Sequence, residues 1–234
     1  MSIRPIDIAR KLNISTSALR HYEEWGIVPA PERAKNGYRL YTEEHLAYFE
    51  CIRAMNAGFG MQVTKNAMMK IQNKEAEDAF WLVNEQQARL HHNKLLAEKT
   101  VQILGSIELD EADAKQKRKW MTIGEVSKET QIPSTTIRHW EKMGLLDVSR
   151  DNDNGYRKFN RSHVRKVLII GTLRAAVYSL EVIKQVIEEL DGHNVEQARR
   201  IARDSLKYLN DLNQAQIKGI HYLYRLCNVL KLID

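Results

Sequence analysis

Cysteine, proline and glycine are all scarce: two, four and eleven in a chain of 234 residues. Cys51 and Cys227 each stand alone on an apolar stretch, with no Cys-x-x-Cys pair and no neighbouring histidine cluster. That excludes a paired-cysteine metal motif and leaves a buried structural thiol or, in the other reading, a redox or soft-metal switch. Few helix breakers, with abundant Ala, Leu, Glu, Lys, Arg and Gln, predict a mostly helical chain. The opening Met-Ser-Ile-Arg-Pro-Ile-Asp has no apolar signal core, and no run reaches the ~18 apolar residues a membrane span needs. The sequence therefore reads as cytoplasmic, with no membrane partner. A glycine-rich phosphate loop and a nucleophile motif are missing, and the eight histidines show no metal spacing, since His91 and His92 face different sides of a helix. No enzyme, metal or cofactor is expected. What remains is a net charge of +6, which favours a polyanionic partner without identifying it.

The chain holds one pattern twice. Ile14-Ser-Thr-Ser-Ala-Leu-Arg-His-Tyr-Glu-Glu-Trp-Gly-Ile27 and Asn36-Gly-Tyr-Arg-Leu-Tyr41 return as Ile132-Pro-Ser-Thr-Thr-Ile-Arg-His-Trp-Glu-Lys-Met-Gly-Leu145 and Asn154-Gly-Tyr-Arg-Lys-Phe159. The offset is 118 throughout, so Arg20 answers to Arg138, His21 to His139 and Gly37 to Gly155.

Within the first copy, Ile6, Ile8, Ala9 and Leu12 have near-helical spacing, interrupted at Asn13-Ile14. Ser15 or Thr16 then caps a second helix, because a short hydroxyl satisfies free first-turn amides. That helix runs to Trp25-Gly26, where glycine permits the left-handed stop. This is a helix-turn-helix pattern, whose second helix enters a major groove with Ser17, Arg20 and His21 facing out and Leu19 facing in. Asn36-Gly37 predicts a hairpin turn, and Tyr38, outward Arg39 and Leu40 a strand, together a wing able to grip phosphates. Thr42-Glu43-Glu44 opens a further helix, Gly58-Phe59-Gly60 ends it, and another runs from about Gln62 to Ile71.

In combination, Ala-Leu-Arg-His-Tyr-Glu-Glu-Trp-Gly-Ile, Asn-Gly-Tyr-Arg-Leu-Tyr-Thr and Ala-Gly-Phe-Gly resemble the winged-helix domain of the MerR family of bacterial transcriptional regulators. The second copy, from Met121-Thr-Ile-Gly-Glu-Val126 to Ser179-Leu-Glu-Val-Ile183, resembles it as well. The resemblance implies that Arg20 and Arg138 read DNA from recognition helices, beside Ser15, Thr16, Ser17 and His21 in one copy and Ser134, Thr135, Thr136 and His139 in the other. Tyr22 and Trp140 match an aromatic near the DNA backbone, although a half-buried core ring would look the same. Tyr38-Arg39 and Tyr156-Arg157, the latter followed by Lys158, match a phosphate-clamping wing pair. Arg33 and Lys35 are further basic wing positions. The second copy has Asp151 and Asp153 there, and only Arg150 is placed to substitute.

Each unit is followed by a long helical pattern. Phe80, Val83, Gln87, Leu90, Lys94, Ala97, Val101 and Leu104 form one seam. Ala202, Ser205, Leu209, Leu212, Gln216, Gly219, Leu223, Leu226, Leu230 and Ile233 form the other. Gln87 and Gln216 either pair across the seam or face water; Lys94 either lays its stem along it or the seam drifts to Leu95. Gly219 would let helices approach closely. The stretch Ile220–Ile233 is apolar on more than one face, so it packs on the first winged helix or on another chain. The segment from Ser106 to Lys119, acidic first and basic last, reads as a linker, solvated or touching phosphate at its basic end.

The expected fold is thus mainly α: winged helix-turn-helix domains at 1–73 and 121–193, each followed by a long helix, at 74–106 and 194–234, with a linker at 107–120. The resemblance implies that the long helices form an antiparallel coiled coil. The partner is double-stranded DNA, with RNA polymerase at a promoter a further possibility. The chain acts as a monomeric pseudo-dimer or, alternatively, as a homodimer. The rival functions are a DNA-architectural or recombination-associated protein, and a small-molecule-responsive protein using the space around Trp81, Tyr222 and Tyr224.

Overall fold

The computed structural model describes residues 3–110, 120–176, 178–191 and 195–233. These are mainly α, with nine helices and a single two-stranded sheet among the described residues. They divide into two compact units, Met1–Leu90 with Asp211–Asp234, and His91–Asn210.

In the first unit α1 (Pro5–Leu12) starts on proline and stops at Asn13, in the left-handed region at φ 52°. For α2 (Thr16–Glu24) the cap is Ser15, whose hydroxyl accepts the Ala18 N–H at 3.1 Å. Gly26, at φ +66°, ends the turn that follows. Strands β1 (Glu32–Arg33) and β2 (Arg39–Leu40) pair antiparallel, and Ile3 bridges to Tyr41 at the hairpin's end. Thr42 then caps α3 (Glu43–Gln72), in which Gly60 (φ 74°, ψ 165°) breaks the helical geometry where the Gly-Phe-Gly triplet predicted an end.

The long helix α4 (Ala76–Asp110) contributes residues as far as Leu90, and α9 (Val195–Val229) contributes those from Asp211. Leu223, Leu226 and Cys227 of α9 join Leu19, Phe49 and Ile52 in the first core. Each such fully buried Leu stabilises by about 1.5–3 kcal/mol, which answers the question of what covers the C-terminal apolar stretch. Helix α9 stops before Leu230, with Lys231 at φ 54°, so Leu230 and Ile233 lie beyond the helix on which the heptad pattern placed them; both still pack on this core. Gln87 Nε2 donates to Gln216 Oε1 at 2.7 Å, while Gln216 Nε2 donates to the Gly58 carbonyl at 3.0 Å. Gly58 allows that approach: a Cβ there would lie 2.5 Å from the Gln216 backbone nitrogen. Gly219 also sits close to α3, with Met55 Cα at 3.1 Å from its would-be Cβ.

The second unit repeats the first. Thr122 and Glu125 form a reciprocal cap for α5 (Ile123–Thr130), and Pro133 precedes α6 (Ser134–Lys142). Gly144 and Gly155 both have φ +71°, Met121 bridges to Phe159, and Arg150 to Arg157. Helices α7 (Arg161–Ala175) and α8 (Leu180–Asp191) complete a core around Ile137, Phe159, Val167 and Ile183, joined by Leu104 of α4 and by Ala198 and Ala202 of α9. The seam does not drift to Leu95, which is 49% exposed; Leu96, Ala97 and Thr100 are buried instead. Lys94 is half-buried and pairs with Glu98 at 2.7 Å, so the charge leaves the seam by an i,i+4 bond. Helix α4 continues to Asp110, past the expected end at 106, because nothing there stops a helix; Gly105 is accommodated. The rest of the anticipated linker, 111–119, with its basic end, lies outside the described residues.

Candidate nucleic-acid interface

Leu19 and Ile137, at 0% and 1% exposure, anchor α2 and α6 to their cores and so fix what each helix turns outward. On α2 those are Ser17, Arg20 and His21; on α6, Thr135, Arg138 and His139. Ser15 is exposed too, while Thr16, Ser134 and Thr136 are partly covered. The Arg20 guanidinium donates to the Ser17 hydroxyl at 3.1 Å, holding the two together on one face. His21 Nδ1 lies 3.0 Å from Glu24 Oε2. The corresponding position in α6 is Lys142, so the helices present similar arginines and histidines in different charge settings.

Tyr22 and Trp140 are seated in the cores, at 8% and 7% exposure. Tyr22 packs on Phe49 with ring centroids 6.3 Å apart, and burial lifts its phenol above the usual range.

The hairpins project Tyr38 and Tyr156, 70% and 73% exposed. Arg39, read from the alternation as facing outward, instead folds back on α2: its Nε donates to Glu23 Oε2 at 2.8 Å. Arg157 does the same to Glu141 at 2.6 Å. A carboxylate one helix away outweighs solvation of the guanidinium, since the bond is charge-assisted and half shielded from water. The bond to Glu23 holds Arg39 more firmly protonated. The Tyr41 hydroxyl also donates to Glu23, and burial, then that bond, push its phenol far above the ordinary range. In the second unit Phe159 has no hydroxyl, and Arg150 stands 3.9 Å from Glu141 instead. Glu23 and Glu141 were missed as site residues. The signal was present, a glutamate and an arginine 16 residues apart in both copies.

Arg33 donates to the Gly37 carbonyl at 3.2 Å, and Arg150 to the Gly155 carbonyl at 3.4 Å. Arg150, one position before Arg33's counterpart, therefore does in the second hairpin what Arg33 does in the first. Asp151, at Arg33's aligned place, accepts from the Asp153 and Asn154 amides and pairs with Lys158 at 2.6 Å. The Lys158 bond, then the Asp153 amide, hold its carboxyl below the usual range. Lys35 is exposed, and its counterpart Asp153 is exposed as well.

Trp81 and Tyr224 are 70% and 50% exposed on the surface rather than lining a shared apolar space. Tyr222 alone of the three rings turns into a cleft, with Lys11 and Glu50. Among the described residues no group of His, Cys, Asp and Glu is placed to hold a metal, and no helix is long and apolar enough to cross a membrane.

Residues 4–41 match the model of the MerR family of regulatory proteins, and residues 121–190 that of the MerR HTH family of regulatory proteins. The HTH-type transcriptional regulator CueR of Salmonella typhi is 42% identical over 57 residues, covering 24% of this chain and 41% of that protein. The nodulation protein NolA of Bradyrhizobium elkanii is 36% identical over 73 residues, covering 31% of this chain and 33% of its own length. The match thus spans about two fifths or less of the length of these relatives. No solved structure matches the chain.

Proposed function

For a chain that belongs to the MerR family of regulatory proteins, we propose the role of a sequence-specific DNA-binding transcriptional regulator. Its two winged helix-turn-helix readers, at 1–73 and 121–193, occupy the halves of one pseudo-palindromic operator. The observation that carries this reading is the doubled outward face: Ser17, Arg20 and His21 on α2, and Thr135, Arg138 and His139 on α6. Each is flanked by a hairpin whose tyrosine stands in solvent. Short polar side chains with an arginine are what base edges in a major groove require, and hairpin cations and tyrosines suit phosphates. Relatives named as HTH-type transcriptional regulators support the reading.

The long helices α4 and α9 form an antiparallel coiled coil in this proposal. The order of contacts supports it within the first unit: Gln87 meets Gln216 and Phe80 lies 6.4 Å from Tyr224, so the partner numbers rise as the first numbers fall. One chain then supplies both readers as a pseudo-dimer, distorting promoter DNA for RNA polymerase. Footprinting and light scattering test it together. Two unequal protected half-sites, bound by one chain of 27.2 kDa, are expected. A single protected half-site removes the two-reader proposal, and a stable double-mass species at low concentration makes the protein a homodimer. Genomic sites lying between promoter elements fit regulation, whereas scattered sites would assign an architectural role.

A further inference from the structure

Inside the first unit, α1, α3 and α9 enclose a cleft of about 550 Å³, within the usual range for a small-molecule site. Its apolar surface comes from Ala54 and Ala57 of α3, Ala215 of α9 and the ring of Tyr222. Small side chains leave the space, and the ring gives it a wall.

The charges around it are unbalanced. Glu50 is buried and fully engaged, by Lys11 at 2.9 Å and Arg225 at 3.2 Å. Arg53 and Lys218 also line the cleft, are exposed, and have no carboxylate partner among the described residues. Two cations thus share the one carboxylate, and two more, Arg53 and Lys218, border the apolar surface without one.

The second unit shows that the fold does not require this opening. The 118-residue offset places Leu168, Gly171, Thr172 and Ala175 where the first unit has Glu50, Arg53, Ala54 and Ala57. There α4 narrows the space to about 140 Å³, lined by His92, Leu95, Leu96, Lys99, Thr130 and Gln131. Leu96 Cδ2 lies 2.8 Å from where a Gly171 Cβ would be, and the Thr100 and Thr172 hydroxyls bond at 2.7 Å. In the second copy the space is smaller, and the lysine that borders it, Lys99, is already bonded to the Glu129 carbonyl at 2.5 Å.

We propose that this cleft binds a small organic anion, an apolar body bearing one carboxylate, with Arg53 and Lys218 holding the carboxylate and the body lying on the alanines against Tyr222. A cationic ligand would meet Arg53 and Lys218 with no carboxylate of its own to offer them, and a neutral one would leave both unused. A DNA backbone would satisfy the cations but not cover the apolar surface. Because α1 packs on α2, an occupant joins the reader to α9. Its effect on operator affinity rests on the proposed function, whereas binding itself does not.

The test is calorimetry on the free, full-length protein with 1-naphthylacetate and its neutral amide as probes. One molecule of the acid should bind per chain, and the amide about tenfold or more weaker, the weight of a charge-assisted bond. Arg53→Ala with Lys218→Ala should weaken the acid by a similar factor. Ala57→Leu, which fills the cleft while keeping a good helix former, should abolish binding with an unchanged circular dichroism spectrum. Equal binding of acid and amide, undiminished binding to A57L, or no binding of the acid at millimolar concentration would each overturn the proposal. So would a loss of DNA affinity in the double variant without any acid binding, which assigns the cations to phosphate. Failure to bind any operator would count against the proposed function and leave the calorimetric result standing.

Discussion

The wing arginines carry a sharp energetic prediction. Arg39 Nε and Glu23 Oε2 are 2.8 Å apart, with side chains 25% and 12% exposed. Fully exposed pairs couple by about 0.2–1 kcal/mol, and charge-assisted hydrogen bonds contribute about 1.5–3 kcal/mol. With a quarter of the arginine still in water, a coupling of about 1–2 kcal/mol follows. Glu23→Gln, Arg39→Gln and the double variant close a thermodynamic cycle. The loss should be local, because the bond ties β2 to α2 and Glu23→Gln keeps an oxygen to accept from the buried Tyr41 hydroxyl. Hydrogen exchange at the Ala34 amide, bonded to the Tyr38 carbonyl at 2.8 Å, is the direct reporter. Its protection should fall by roughly 5–30-fold in either single variant, the equivalent of 1–2 kcal/mol. DNA binding adds a second readout. If Arg39 leaves Glu23 for a phosphate on binding, E23Q should strengthen non-specific affinity at low salt, while R39Q should weaken it and reduce the salt dependence by about one contact. A coupling below about 0.3 kcal/mol, or protection lost evenly over α1 to α3, would refute the wing lock.

Gly58→Ala should destabilise the first unit by about 2 kcal/mol or more in urea, because the new Cβ meets backbone atoms of Ala215 and Gln216 at 2.7 and 2.5 Å; wild-type stability would mean that α9 does not lie against α3. His45 is buried, and desolvation holds its imidazole below the ordinary range, so the unfolded chain protonates first. Stability of the first unit should therefore fall as pH drops through about 6.5 and further below it, and a thermal melt series in which His45→Gln keeps the wild-type slope would remove that cause. Replacing Arg20 or Arg138 by Ala should cost about 1–3 kcal/mol of operator affinity and relax base preference in one half-site only, as read by binding to a library of operator variants. Equal relaxation in both halves would break the assignment of one reader to each.

Local chemistry made the helices legible. Ser15, Thr42, Gly26 and Gly144 stand at chain positions whose φ or cap geometry only a few residue types tolerate, so their identities announce the ends. The seam of α9 was legible for a related reason. Ala202, Ser205, Leu209, Gln216, Gly219, Leu223 and Leu226 repeat at a helical period, and all seven are buried. Features depending on two distant segments were not legible. The alternation of a two-residue strand told which way Arg39 leaves the backbone, but not that Glu23 waits across the gap. Tyr22 and Trp140 could not be sorted from pattern, because an aromatic at a helix edge has the same neighbours whether its ring turns in or out. For Lys94 the sequence left two readings open, and only the position of Glu98 decides between them. Its seam position is real, but the ammonium escapes along the helix to Glu98, so no drift to Leu95 is needed.

The duplication supplies an internal control that a single reader would lack. Where both copies keep a contact through different residues, the contact matters more than the residue. Arg33 and Arg150 come from neighbouring, non-equivalent strand positions, yet both donate to the glycine carbonyl of the hairpin turn. An aligned comparison scores Arg33 against Asp151 as a lost cation, whereas the geometry shows the cation moved by one residue with its bond retained. The same logic separates retained from diverged chemistry at Glu50. Leu168 replaces it, Gly171 replaces Arg53, and Lys99 of α4, which borders the smaller space beside Leu96, is bonded to the Glu129 carbonyl at 2.5 Å. Compensation at the hairpin marks a contact that both units keep. At the cleft the two units differ in volume and in unpaired charge, so the proposed anion site belongs to the first alone.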